Sequence, residues 1–410
     1  MHPSRLARFA ALTLTASLVV AACGGDDDDA ADTPAPAATE AAPPDTEAAA
    51  PDTEPAAPDA TEAPESTDPA PASTAAPATT AAAAGAECEH LAEPVTLKWG
   101  IGYSPAYSHV FVADQLGYFA DENITVEFEA VGSPADTLPL LAGGQLDLAN
   151  AGMSAGMFNA IGRGIDVKIV ASHGQYARDT EAPAGFYVRS ELIDSGEVTE
   201  IADLAGRNLG LAGGLADIGN AGGYLISLVL AEGGLTLKDM NIVNVAVTDS
   251  PTAFASGSID ATFMPGQVAP IVVEDDTARP FGDPNVLAER VQGGTLLGPD
   301  LIEERPEVAR AVLRALFRAA ADLQGDYRQD ETIVEALIAT GEFERDRIVN
   351  FPYYYFDPEL LVDEESITQF QQIFIDLGGV IESGEVLPYD ELVAEDLRSE
   401  AYDTFVGCYG

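Results

Sequence analysis

Cysteine and basic charge are both scarce, and the apolar run near the N-terminus is short. Three cysteines and four histidines in 410 residues are too few for a zinc ribbon, an iron–sulfur cluster or a disulfide-framework fold, so neither a metal site nor a cofactor is expected. Lysine and arginine number 19 against 68 aspartates and glutamates, a formal net charge of −49. A surface this negative repels phosphate backbones and anionic head groups. That excludes nucleic acid as a partner and removes the electrostatic footprint of a peripheral-membrane binder. The imbalance is uneven: residues 1–23 hold Arg5 and Arg8 and no acid, 24–87 hold 15 acids and no base, and 88–410 hold 53 acids and 17 bases.

What is present at the N-terminus reads as an export signal. Arg5 and Arg8 precede an apolar run from Phe9 to Ala22, 14 residues long, whereas a membrane span needs about 20. Val20-Ala21-Ala22-Cys23 closes it with small residues before a cysteine. It resembles the bacterial lipoprotein box, so residues 1–22 are expected to be a signal peptide and Cys23 the lipidated N-terminus. The mature protein is then expected on the extracytoplasmic face of the cell membrane, held only by lipid. Residues 23–87 contain no larger apolar side chain beyond the anchor cysteine and repeat patterns such as PDTEAAAPDTEPAAPDATEAPE. This composition describes a disordered tether about 45 Å or more in reach. The acids Asp26 to Asp29 are a solvated run, not a metal site.

Residues 88–410 exceed the size at which one core stops growing, so two lobes are expected. Strands at VTLKWGI (95–101), ITVEFEAV (124–131), DLANAG (147–152) and DVKIVAS (166–172) alternate with helical segments. A second series follows with strands at 186–188, 208–212, 242–247 and 260–264, and helices at 219–231 and 251–256. Alternation of this kind predicts α/β lobes with mainly parallel sheets covered by helices. The two series share a local pattern, Leu141-Ala142-Gly143-Gly144-Gln145-Leu146-Asp147-Leu148-Ala149 and Phe254-Ala255-Ser256-Gly257-Ser258-Ile259-Asp260-Ala261-Thr262. Each reads as helix end, glycine turn and strand. After 285 the chain reads as mostly helical, with Pro306 opening one helix, Ser366 capping another, and both packing on the first lobe. The expected organisation is lobe 1 over 88–184, lobe 2 over 185–270, and a return to lobe 1 over 271–410.

The stretch GIGYSP…VFVADQLGYFADENITVEFEAVGSPADTLPLLAGGQLDLANAG…IGRGIDVKIVAS, with DLAGRNLGLAGG and FASGSIDATFMPGQVAP further on, resembles the solute-binding proteins of nitrate, sulfonate and taurine importers and their thiamine-pyrimidine relatives. The resemblance implies a periplasmic-binding-protein-like (type II) fold with a hinge and an inter-lobe cleft. It also implies capture of a small polar organic molecule and delivery to an ABC permease, with the binding protein acting as a monomer. A thiamine-precursor pyrimidine is the alternative ligand, and a sensory or structural lipoprotein the alternative role. No lysine completes a GxxxxGK[ST] loop, so the ATPase must be a separate subunit.

Two enzymatic readings compete with this. Gly152-Met153-Ser154-Ala155-Gly156 matches G-x-S-x-G between a predicted strand and helix, but His173 is the only histidine after Ser154, which leaves the usual triad unassembled. The relatives include a pyridoxal-phosphate-dependent pyrimidine synthase with a cysteine-rich motif. This chain has only Lys98, Lys168 and Lys238, and no cysteine between 88 and 408. No catalytic residue is therefore expected. Open α/β sheets bind ligands beyond strand ends. That selects Tyr103, Ser104 and Tyr107, Ser133, Met153 and Ser154, and His173 in the first lobe, and Gly214 and Asp217 in the second. Asp217 is read first as a helix cap and also as a partner for a ligand amino group. The resemblance adds Gln267, at the position where the family crosses between lobes, and Tyr353 to Tyr355 are a candidate cleft wall. Cys88 and Cys408 are expected to form a disulfide joining the ends of the folded region.

Overall fold

The structure, a computed structural model, describes residues 90–131, 134–178, 184–266, 268–350 and 354–409. Cys23, Cys88, Ser133, Gln267 and Tyr353 lie outside the described residues.

The first sheet is built from β1 (Val95–Ile101), β2 (Ile124–Ala130), β3 (Leu148–Gly152) and β4 (Lys168–Ser172), the strands read from the sequence. β1 pairs parallel to β2 and β3. The short ribbon strand β5 (Gln175–Tyr176) follows. The second sheet holds β6 (Gly185–Arg189), β7 (Asn208–Leu211), β8 (Asn241–Asn244), β9 (Ala261–Met264) and β10 (Ala278–Pro280) in the order β10-β6-β9-β7-β8. Two of these features correct the sequence reading. β10 pairs with β6, so the second sheet continues to Pro280 and the return to the first lobe comes after 280, not at 271. The chain re-enters the first sheet as a strand, β11 (Gly293–Leu297), antiparallel between β3 and β4, in a stretch expected to be helical. Glycine makes that insertion possible. A Cβ on Gly293 would lie 2.4 Å from the Ala151 carbonyl oxygen, and one on Gly294 2.2 Å from that of Ala171.

The shared pattern has the same physical role in both sheets. Gly144 and Gly257 sit at φ 66° and 70°, the left-handed turn glycine adopts cheaply. The aspartate that follows accepts a backbone amide of the neighbouring strand: Asp147 from Lys98 at 2.9 Å, Asp260 from Asn208 at 3.0 Å. Each is also paired with an arginine, Arg305 at 2.9 Å and Arg189 at 2.8 Å.

Of the helices among the described residues, six bear on the site and its support: α1 (Ser108–Gln115), α2 (Ala155–Gly162), α3 (Ala221–Glu232), α4 (Pro306–Asp322), α5 (Glu364–Leu377) and α6 (Glu395–Tyr409). α1, α4 and α6 cover one face of the first sheet, where Leu97, Trp99, Phe111, Val312 and Phe317 form a dry core. Within it Arg314 reaches Glu122 with Nε–Oε1 at 3.0 Å, both side chains almost wholly buried. α5 departs from expectation twice. Its cap is Asp363, whose carboxylate accepts the Ser366 amide at 2.7 Å, while the Ser366 hydroxyl accepts the amide of Val291. Nor does it pack on the first lobe alone. Phe370 lies 5.2 Å from Phe158 of α2 and 5.2 Å from Tyr224 of α3, so α5 straps both lobes together.

Candidate functional site

The chain leaves the first sheet after Ser172 and joins the second at Gly185, then leaves it after Pro280 and rejoins the first at Gly293, and the described parts of these two crossings are laced to one another. The Glu289 amide donates to the Tyr176 carbonyl at 2.8 Å, and the Glu289 carboxylate pairs with Arg178 at 3.0 Å. Met264 ends β9 inside the second lobe. β5 pairs with the two-residue strand β12 (Tyr354–Tyr355) beside the first crossing. Tyr176 touches Tyr354 and Phe263, each at 5.6 Å between ring centroids.

A cavity of about 580 Å³ lies between the lobes. The first lobe contributes Gly152, Met153, Ser154 and Gly156. The second contributes Leu211, Ala212, Val245, Thr262 and Phe263 from the ends of its strands, and Ala216, Asp217, Asn220 and Gly222 from the turn into α3. Residues beyond carboxyl ends of strands are where an open α/β sheet offers a site.

Two helices, one from each lobe, begin at this cavity. Ser154 is extended at φ −148° and caps α2, its hydroxyl accepting the Met157 amide at 3.2 Å. Asn220 caps α3, with Oδ1 accepting the Gly223 amide at 2.9 Å. The Ala155 amide donates to the Gly219 carbonyl at 2.7 Å, so the caps meet across the lobes. First-turn amides of a helix have no intrahelical acceptor and carry the positive end of the helix dipole. Gly156 and Gly222 place such amides in the lining without side chains over them. Asp217 supplies the opposite charge. It ends a short turn, Gly214–Asp217, and is not the cap of α3. Its carboxylate accepts from Asn220 Nδ2 at 3.3 Å and is otherwise open to solvent.

The other candidates separate from this group. Gly214 is buried at φ 57°, where a Cβ would come within 2.9 Å of Asn244, so its glycine serves the turn. Ser104 caps the turn Pro105–Tyr107 through the Ala106 amide. Tyr107 meets His173 edge-on at 5.3 Å, its hydroxyl pushed up to about 12 by burial. His173 is buried with Nδ1 2.9 Å from the Gly174 carbonyl oxygen, and desolvation pushes it down to about 4. Tyr103 lines a different pocket. Ser154 and His173 therefore sit in separate environments, one a helix cap in the cavity and the other packed against tyrosine. Asn220 was missed in the sequence, although an asparagine directly before AGGYLISLVL carries the cap signal. Thr262 and Phe263, at the end of a strand, gave no chemical signal of their own.

Among the described residues no group of histidine, cysteine or acids is arranged to hold a metal ion, and no helix is long and apolar enough to cross a membrane. A sequence profile of the family "NMT1/THI5 like" matches residues 104–326, more than half of the chain. The chain belongs to the NMT1/THI5-like family. No curated protein matches this family member in sequence. Among solved structures, the alkanesulfonate-binding protein SsuA from Xanthomonas axonopodis pv. citri, bound to MOPS, is similar at 20% identity and a TM-score of 0.51, over 76% of this chain and 99% of that one. The periplasmic nitrate-binding protein NrtA from Synechocystis PCC 6803 is similar at 17% identity and a TM-score of 0.53, over 76% and 89%. A mutant of DSZB in complex with biphenyl-2-sulfinic acid is similar at 16% identity and a TM-score of 0.52, over 76% and 99%. At these identities the likeness is one of fold, and it makes this NMT1/THI5-like chain a mixed α/β protein of the two-lobed periplasmic-binding-protein-like type.

Proposed function

We propose that the protein is a lipid-anchored, extracytoplasmic solute-binding protein that captures a small polar organic molecule and hands it to an ABC permease served by a separate ATPase. The observation that carries this reading is the inter-lobe cavity, entered by the starts of α2 and α3 from opposite lobes. A ligand bridging those helix starts is enclosed when the lobes close about the laced crossings. The cavity suits a zwitterion: an anionic group at the first-turn amides of α2 and α3, and an amino group on Asp217. A taurine-like aminosulfonate fits that description, in line with the sulfonate and nitrate ligands named for proteins of the same fold. A thiamine-precursor pyrimidine is the second reading, favoured by the Phe263 ring in the lining. Turnover is not proposed, because Ser154 serves as a helix cap and His173 is committed elsewhere. DSZB shares the fold, which sets the fold itself aside as an argument on either side.

The test is a thermal-shift and small-angle scattering screen with aminosulfonates, alkanesulfonates, nitrate and aminopyrimidines. At least one should raise the melting temperature and compact the particle, and Asp217→Ala together with Ser154→Ala should weaken that binding about tenfold or more. No compaction with any of them favours a non-transport lipoprotein, and ester hydrolysis lost on Ser154→Ala would make the protein an enzyme. The anchor at Cys23 is read by mass spectrometry of the mature N-terminus, where an unmodified cysteine overturns it. The protein is proposed to act as a monomer.

A further inference from the structure

A second pocket opens on the first lobe and shares no residue with the inter-lobe cavity. Its volume is about 90 Å³. The buried side chains of Leu337 and Ile348 give it an apolar surface. Tyr103, 46% exposed, lies flat on the buried Phe111 at 5.4 Å, and Phe343 meets the same ring edge-on at 5.7 Å. Arg347, Glu342 and Arg328 also line it, the first two exposed to solvent and Arg328 paired with Asp326 at 2.6 Å.

Arg347 stands apart from the other cations. In a folded region with 53 acids and 17 bases, every other described arginine, and Lys98, is paired with a carboxylate. Lys168 and Lys238 donate to the carbonyls of Asp390 and Asp376. Arg347 alone has no such partner among the described residues, although acids outnumber bases about threefold across the folded region. A guanidinium presents a planar fork that matches a carboxylate, and here the fork borders an apolar, aromatic recess.

We propose that this pocket binds a short monocarboxylate, with the carboxylate on Arg347 and the apolar tail against Leu337, Ile348 and Tyr103. Each feature of the class follows from the site. The volume is smaller than the roughly 150 Å³ of a cavity that takes benzene, so the tail is a few carbons long. Arg328 is already neutralised by Asp326 and Glu342 opposes a second negative charge, so dicarboxylates, phosphate and sulfate are disfavoured. The pocket belongs to one lobe, so its occupant is not enclosed by lobe closure and is distinct from the solute of the cleft. Leu337, Glu342, Phe343, Arg347 and Ile348 also lie past residue 326, where the family match ends.

Calorimetric and saturation-transfer NMR titrations of the whole mature protein with butyrate test this. Saturable binding near about 1 mM is expected, at least tenfold weaker in Arg347→Gln and unchanged in Ser154→Ala. Succinate should bind measurably only in Glu342→Gln. Arg347 is exposed and has no carboxylate partner among the described residues, so its variant should fold, and an unchanged melting temperature checks that. Butyrate that fails to saturate, or that binds Arg347→Gln as it binds the natural protein, overturns the site. So does loss of butyrate binding in Ser154→Ala, which would move the anion to the cleft.

Discussion

His109 sits wholly buried on α1, its ring 5.4 Å from that of Phe356, and neither ring nitrogen has a hydrogen-bond partner among the described residues. Burial, with His173 nearby, pushes its pKa down to about 3. The unfolded chain takes up this proton near pH 6.5, whereas the folded chain resists it to about 3, so the unfolded state holds more protons between those values. Stability is therefore complete above pH 6.5 and falls as the pH drops through that window. Each such histidine removes about 2 kcal/mol between pH 7 and pH 5. His109→Phe, which keeps an aromatic ring against Phe356, should lose visibly less melting temperature over that interval than the natural protein. An equal loss in both would show that His109 carries none of the acid sensitivity. None of this was legible in the sequence, where His109 was one residue of a helical stretch and His173 looked like a cleft residue. Ser154 was legible, because G-x-S-x-G between a strand and a helix marks a hydroxyl at a helix start whether or not it reacts. Asp217 was half legible: its place at the cleft follows from the strand end before it, but Asn220, not Asp217, makes the cap.

The elements that could be read were those whose pattern is local. Alternating strands and helices over 95–172 mark four of the first sheet's five strands to within two residues, since each βαβ unit carries its own apolar periodicity. β11 could not be read, because Gly293-Gly294 lowers strand propensity and the need for glycine comes from β3 and β4, far away in sequence. α5 shows the same division. Its apolar spacing at Ile367, Phe370 and Phe374 announces a helix, and all three are buried, but nothing in that spacing says that the ring of Phe370 will touch both lobes. The contact has a consequence. Phe370→Ala removes a fully buried ring at the junction of α2, α3 and α5 and should cost about 3–5 kcal/mol, read as a shift in the urea midpoint. The neighbouring exposed Gln372→Ala should cost under about 0.5 kcal/mol. Equal shifts for the two would deny α5 its role as a strap. Asn159 reinforces it from the first lobe, donating to the Val380 carbonyl at 2.9 Å and accepting the Glu382 amide at 2.8 Å. On the second lobe, Lys238 reaches the Asp376 carbonyl.

At the scale of the whole molecule, size alone predicts two lobes, and the second sheet runs on to Pro280, past the expected boundary at 270. β10 was missed because three residues of edge strand carry too little periodicity to register. The ends of the folded region hold a further prediction. His90 lies 3.3 Å from Glu122, and Glu122 is held by Arg314 on α4. One turn along α4, Arg318 pairs with Asp121 at 2.8 Å and stands over the ring of Tyr409, 4.7 Å from its centroid. The first and last described residues therefore converge on neighbouring turns of one helix. Cys88 precedes His90 by two residues and Cys408 precedes Tyr409 by one, so a disulfide with its roughly 4.4–6.8 Å between Cα atoms is within reach. With Cys23 lipidated as proposed, these are the two thiols left to pair outside the cell. The bridge should act on stability and not on binding, because it clips both ends to α4, away from the crossings between the lobes. Replacing both cysteines by serine should lower stability by about 2–4 kcal/mol and leave cleft binding unchanged. Thiol titration of the unfolded, unreduced protein decides the pairing: no reactive thiol from Cys88 or Cys408 supports the bridge, and two would refute it.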